Sequence, residues 1–239
     1  MISPKGRVVM ISGANRGIGL SIASNLYMAG FSLSLGARNE EALKKVVKDW
    51  DMSRVFVSKY DALIKGTHND WVNATVNHYG RLDSLVNNAG MYTPFSAIEN
   101  KDDEEALDLM WSVNVKAPLS MTRLAIPHLR KSGSGRVINV ASLAGKAVFG
   151  SEVGYSMTKF ALVALSHAIR QGGWDDGVRC TALCPGYVAT DLTGSIESMP
   201  REEMTSAEDL AELVKTVISL SNTASVAELI VNCRPDIVA

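Results

Sequence analysis

The sequence predicts an α/β protein: a single doubly wound parallel sheet with helices on both faces. Three observations carry this expectation. Short apolar runs alternate with segments of helical periodicity along the whole chain, the pattern of parallel strands joined by crossover helices. The first run, Val8-Val9-Met10-Ile11, is continuous rather than alternating, as in a strand buried on both faces. The glycine and polar clusters fall just past the expected strand ends, where doubly wound sheets bind ligands.

The elements follow in order. After the first strand comes Ser12-Gly13-Ala14-Asn15-Arg16-Gly17-Ile18-Gly19, then a helix over Ile18 to Met28 with Gly30 as its stop. Phe31 to Leu35 reads as the second strand and Glu40 to Trp50 as the second helix. Val55-Phe56-Val57 is the third strand, Ile64 to Tyr79 a helix, and Leu82 to Val86 the fourth strand, ending in Asn87-Asn88-Ala89-Gly90. A long helical stretch, about Glu104 to Leu129, contains Pro118 and Pro127, which are expected to kink or end parts of it. Arg136 to Ala141 is the fifth strand, Val153 to Arg170 a helix, and Arg179 to Leu183 the sixth strand. Ala207 to Leu220 is helical, and Ala227 to Val231 closes the sheet.

At 239 residues, with no repeat, linker or low-complexity segment, one domain over residues 1–239 is the economical reading. Hydrophobic residues make up 46%, enough for a sizeable core. A formal net charge of -1 without a dense basic run argues against a nucleic-acid partner. No apolar run is long enough to span a membrane. Strand-like residues begin at Arg7, which leaves no room for a signal peptide. Cys180, Cys184 and Cys233 form neither a metal-ligand pattern nor a disulfide framework. A cytoplasmic protein without a metal is the expectation. The four histidines lie outside the motifs and read as surface or packing residues.

Two local patterns point to chemistry. A strand, a glycine turn and a helix N-terminus let backbone N–H groups approach a phosphate. Farther on, Tyr155 and Lys159 are four apart, so a helix puts them on one face. A phenol beside an ammonium is a proton donor whose anion is favoured. Ser142, at the end of a strand, could meet that pair. Taken alone, Tyr155 and Lys159 read as ordinary helix surface, and Ser142 as a strand-end hydroxyl capping a turn.

The motifs together change that balance. Gly13-x-x-x-Gly17-x-Gly19, Asn87-Asn88-Ala89-Gly90, Asn114, Ser142, Tyr155-x-x-x-Lys159 and Pro185-Gly186 with Thr190 resemble the classical branch of the short-chain dehydrogenase/reductase family, whose members have the Rossmann fold. They cover nearly the whole chain in the family's order. The three-residue gap between the first two glycines disfavours the epimerase and dehydratase branch.

The resemblance implies roles. Tyr155 would protonate a carbonyl oxygen as hydride reaches its carbon. Lys159 would stabilise the Tyr155 phenolate and hold the nicotinamide ribose. Ser142 would hydrogen-bond the substrate oxygen, and Asn114 would hold a water connecting Lys159 to solvent. Gly13, Asn15, Arg16, Gly17, Ile18, Gly19, Asp61, Asn88, Ala89, Gly90, Pro185, Gly186, Val188 and Thr190 would line the cofactor. Asp61 could instead be a turn residue, Asn88 to Gly90 a structural strand terminus, and Asn114 a buried amide at a kink. The family's acidic position for NAD falls at Ala37, and Arg38 follows, which resembles NADP(H)-preferring members.

The implied activity is NADP(H)-dependent reduction of a small aldehyde, ketone or oxo acid, or the reverse alcohol oxidation. A 3-oxoacyl carrier protein reductase-like enzyme and a dinucleotide-binding regulator without turnover are the alternatives. The ending Ser225-Val226-Ala227-Glu228-Leu229-Ile230-Val231 lacks the glycine-rich stretch usual in carrier-protein reductases. An apolar pocket involving Phe95, Val148, Phe149, Tyr187 and Met199 is expected, with 195–205 as a mobile lid. The family commonly assembles as a homodimer or homotetramer through the two long helices.

Overall fold

A computed structural model describes residues 1–98, 104–151, 153–194, 196 and 198–235. Its sheet has seven strands, β1 (Val8–Ser12), β2 (Ser32–Ala37), β3 (Val55–Lys59), β4 (Ser84–Asn87), β5 (Arg136–Val140), β6 (Arg179–Pro185) and β7 (Glu228–Val231). Every pairing is parallel, in the order β3-β2-β1-β4-β5-β6-β7. The order reverses between β1 and β4, which opens a crevice at their carboxyl ends.

Among the described residues, seven helices cover the sheet: α1 (Gly17–Met28), α2 (Glu40–Val46), α3 (Lys65–Tyr79), α4 (Glu104–Trp111), α5 (Ala117–Lys131), α6 (Val153–Gly172) and α7 (Ala207–Ser219). The continuous apolar run of β1 divides between two cores. Val9 and Ile11 pack with Ile22 and Leu26 of α1 and Leu210 and Val214 of α7. Val8 and Met10 pack with Trp71 of α3 and Met121 and Leu129 of α5. A third cluster joins Leu162 and Val163 of α6 to Ala182 and Cys184 of β6.

Several elements differ from expectation. α2 stops at Val46 because Trp50 leaves the helical path to stack on Tyr27 of α1, with ring centroids 4.6 Å apart. β2 and β6 run on to Ala37 and Pro185. The long helical stretch is not interrupted at Pro127, which stays inside α5 on an exposed face. There water can satisfy the Arg123 carbonyl that loses its donor. At Pro118 the expectation of a local disturbance holds. The residues before it, Ser112–Lys116, form one π turn between α4 and α5, with Ala117 N–H reaching the Ser112 carbonyl. Pro118 has no N–H for the α-helical partner, the Asn114 carbonyl.

Candidate active site

The glycine turn joins β1 to α1. Arg16, the residue before α1, makes no side-chain cap, and the first turn has no acidic residue. The first N–H groups of the helix therefore lack a capping partner and face an uncompensated positive dipole end. This donor set fits a dinucleotide pyrophosphate. Gly19 is required by close approach: a Cβ there would lie 2.3 Å from the Gly13 carbonyl oxygen and 2.4 Å from Asn88 Nδ2. Asn88 Nδ2 ties the ends of β1 and β4 together by donating to the carbonyls of Ser12 (2.9 Å) and Gly13 (3.1 Å). Ser12 Oγ accepts from the backbone N–H groups of Asn88 and Ala89, both at 3.0 Å.

The second half of the site is assembled by β5, α6 and the π turn. Ser142 lies just past β5, where its Oγ accepts from Ala144 N–H at 3.1 Å and is 3.4 Å from the Pro185 carbonyl. Tyr155 and Lys159 share a face of α6, and Lys159 Nζ lies 5.3 Å from the centroid of the Tyr155 ring. Lys159 Nζ donates to the Val140 carbonyl at 2.9 Å. Asn114, from the π turn, is buried. Its Oδ1 accepts from Met91 N–H, and its Nδ2 donates to the Met91 carbonyl, each at 2.9 Å, and to Thr158 Oγ1 at 3.1 Å. Thr158 Oγ1 in turn donates to the Tyr155 carbonyl at 2.8 Å. A Cβ on Gly90 would meet Asn114 Oδ1 at 3.4 Å and Lys159 Nζ at 3.6 Å, so these groups adjoin one another.

Burial governs both titratable groups. It pushes the Tyr155 phenol up to about 12, a hydrogen bond with Ser142 offsetting part of the rise. It pushes the Lys159 ammonium down to about 8. The expected acidification of the phenol by the lysine is thus absent in the free chain, because removal from water disfavours both charged forms. Tyr155 keeps part of its surface open, and at neutral pH it is a protonated acid beside a largely charged lysine.

The remaining predicted residues lie along the carboxyl edge of the sheet. Arg38 is exposed just past β2. Asp61 Oδ1 caps Leu63 N–H at 3.0 Å, so the turn role is realised. Arg16, expected to line the cofactor, pairs with Asp191 at 3.0 Å, both well exposed. Thr190 Cγ2 lies 3.4 Å from where a Cβ of Gly17 would be, so the segment after β6 touches the glycine turn. Asn15 and Ile18 are partly buried within that turn, and Val188 is buried beyond Gly186. Tyr92 meets Tyr155 edge-on, ring centroids 5.6 Å apart, while Val148 and Phe149 are exposed and Met199 is buried. Of the expected lid, Ser195 and Glu197 lie outside the described residues.

Ser12 and Thr158 were not singled out in the sequence. Thr158 is a small hydroxyl three residues after Tyr155, and only the π turn opposite reveals its partner. His68 is a packing residue: it is buried between Ser120 Oγ (3.0 Å) and the Asp61 carbonyl (3.1 Å). Among the described residues no group of His, Cys, Asp or Glu could hold a metal ion, and no helix is long and apolar enough to cross a membrane.

The short chain dehydrogenase family model matches residues 7–201. An agropine synthesis reductase of Rhizobium rhizogenes is 38% identical over 232 residues, covering 96% of this chain and 53% of the relative. The chain thus spans about half the length of that relative. An uncharacterized oxidoreductase of Staphylococcus saprophyticus is 35% identical over 220 residues, covering 91% of this chain and 87% of the relative. Among solved structures, an alcohol dehydrogenase from the archaeon Thermococcus sibiricus, complexed with 5-hydroxy-NADP, superposes with a TM-score of 0.87 at 28% identity, covering 97% of this chain and 99% of the other.

Proposed function

We propose, since this chain belongs to the short chain dehydrogenase family, that it is an NADP(H)-dependent oxidoreductase interconverting the carbonyl and alcohol forms of a small aldehyde, ketone or oxo acid. The observation that carries the reading is the grouping of Ser142, Tyr155, Lys159 and Asn114 around the ends of β5 and β6. The Thermococcus sibiricus structure with 5-hydroxy-NADP and the reductase name of the Rhizobium relatives support it.

The nicotinamide, when bound, supplies or accepts the hydride. Everything else falls to the protein. The uncapped start of α1, with Gly13, Asn15, Gly17, Ile18 and Gly19, holds the pyrophosphate. Arg38 and Arg16 would serve the 2′-phosphate, and Asp61 the adenine. Asn88, Ala89, Gly90, Pro185, Gly186, Val188 and Thr190 line the nicotinamide half. Ser142 Oγ binds the substrate oxygen, and Tyr155 delivers its phenolic proton there as the oxygen gains charge. Lys159 stabilises the phenolate left behind, and a water held beside Asn114 returns a proton.

Tyr92, edge-on to Tyr155, favours a substrate with an apolar portion. The single domain over residues 1–239 and a cytoplasmic setting belong to the same proposal; the free Cys180, Cys184 and Cys233 suit reducing conditions. The test is a panel of aldehydes, ketones and oxo acids with NADPH, followed through nicotinamide absorbance. Turnover of at least one class is expected, and none across the panel with correctly folded protein overturns the reading.

A further inference from the structure

Beyond Ser142 the chain makes a tight turn. Gly145 N–H donates to the Ser142 carbonyl at 2.9 Å, and Lys146 N–H to the Leu143 carbonyl at 2.9 Å. The turn is pressed against α6 at the level of Lys159. A Cβ on Gly145 would lie 2.7 Å from the Lys159 carbonyl oxygen and 3.2 Å from Val163 Cγ2. The next residue, Lys146, sends its Nζ to Glu228 Oε2 at 2.7 Å. The other Glu228 oxygen, Oε1, lies 2.6 Å from His167 Nε2. Glu228 opens the edge strand β7 opposite Ala182, and His167 lies on α6 eight residues beyond Lys159. One carboxylate therefore joins three elements: the turn after Ser142, the edge of the sheet and the helix of Tyr155 and Lys159. All three side chains are partly buried, Lys146 and Glu228 at 24% and 21% exposure. Such a pair is screened less than one in open solvent.

We propose that Lys146, Glu228 and His167 are positioning residues for the reaction, a latch that holds the Ser142 turn against α6 so that Ser142 Oγ stays aligned with Tyr155. The assignment rests on the carbonyl chemistry proposed above. The latch touches neither the glycine turn nor Arg38, so its loss acts on the chemical step and leaves cofactor binding alone. A small misplacement of an aligned group lowers rate far more than affinity.

The test compares the unmodified chain with Lys146→Met, Glu228→Gln, Lys146→Arg and the Lys146→Met/Glu228→Gln double variant. Two readouts are taken: hydrogen exchange of the amides over 143–147, and kcat beside the NADPH dissociation constant. With either neutral variant, exchange at the turn should quicken about fivefold or more while β5 and β6 stay protected. kcat should fall about three- to tenfold and NADPH affinity change less than about twofold. The double variant should be no worse than Glu228→Gln alone, since Lys146→Met removes only a contact that Glu228→Gln already breaks, and Lys146→Arg should restore near-normal values. Unchanged exchange and kcat in the folded variants, or fully additive losses, overturn the latch. If Lys146→Met does not fold, Glu228→Gln decides. If the unmodified chain turns over no carbonyl compound, the functional reading fails, and the exchange measurement still decides whether the latch exists.

Discussion

Lys159 donates from Nζ to the backbone carbonyl of Val140 at 2.9 Å. This bond fixes the ammonium at the end of β5 and points it away from bulk water. The neighbouring polar groups are a carbonyl and the Asn114 amide rather than a carboxylate, so little offsets the desolvation of the charge. The ammonium is held down to about 8 while the Tyr155 phenol stands at about 12.

That pair of values sets a pH dependence. kcat/KM reports the titrations of the free enzyme. For carbonyl reduction Tyr155 must be protonated, and with its value near 12 it stays so across the usual range. Lys159 must be charged, and its charge is lost as pH rises through about 8. Reduction should therefore be level below about pH 7 and fall with a limb centred near 8. Alcohol oxidation needs the phenolate and should gain with pH until Lys159 loses its charge. A rate profile for reduction that stays level past about pH 10 contradicts the role of Lys159.

Tyr155→Phe removes the proton donor and keeps the ring that packs edge-on against Tyr92. Turnover should drop by about 10²–10⁴-fold, the contribution of a positioned acid. NADPH affinity, measured by ligand fluorescence, should stay within about threefold of the unmodified value. Near-normal turnover on any good substrate would show that another group delivers the proton.

Gly19→Ala adds one methyl where no room exists. Its Cβ would press on the Gly13 carbonyl and on Asn88 Nδ2, both held by backbone or by paired hydrogen bonds. The variant should lose about 1–3 kcal/mol of stability, as overpacked sites do, and most of its NADPH affinity. Denaturant unfolding and fluorescence titration check the two halves. Normal NADPH binding by the Gly19→Ala variant would remove the glycine turn from the cofactor site.

How much of this was legible in the sequence depends on the range of the interactions. Continuous apolar runs and the glycine turn are local signals, and they placed all seven strands of the sheet. Strand and helix ends were less legible. Trp50 reads as helical until Tyr27 is seen beside it, and β6 extends to Pro185 because β7 lies alongside it. Within the site, the spacing of Tyr155 and Lys159 told that they share a face. It did not tell that Lys159 is anchored on Val140, because that contact joins a helix to a strand 19 residues earlier. Nor could residue types say that burial dominates at Tyr155, since desolvation depends on every neighbouring element.

Assembly can be tested on α5 and α6. A groove of about 260 Å³ between them is lined by Leu119, Ile126 and Ile169 among others, and Met157 and Phe160 of α6 are exposed. Apolar surface of this kind suits a symmetric pairing of two copies. Light scattering at micromolar concentration should give a dimer or tetramer, unaffected by reductant. A monomer throughout would refute the pairing.

The choice between NADP(H) and NAD(H) turns on the end of β2. NAD-preferring sites place a carboxylate there to bind the ribose 2′-OH. Here the position is the buried Ala37, and the exposed Arg38 follows. The nearby acids are engaged elsewhere: Glu40 and Glu41 both pair with Lys44, at 2.8 and 2.9 Å, within the first turns of α2. Asn39 Oδ1 caps that helix by accepting from Ala42 N–H. No carboxylate of this segment therefore competes with a phosphate for Arg38. A guanidinium binds phosphate through paired, charge-assisted hydrogen bonds. Arg16 starts from its pair with Asp191, but an exposed ion pair is worth at most about 1 kcal/mol, so a phosphate can draw it away. NADPH should be preferred over NADH by at least about tenfold in kcat/KM, or roughly 1.4 kcal/mol. Ala37→Asp combined with Arg38→Ala should reverse the order, by setting a carboxylate against the phosphate and removing its cation. Steady-state rates with both cofactors decide it: equal or better kcat/KM with NADH in the unmodified protein sinks the role of Arg38 and leaves that of Tyr155 standing.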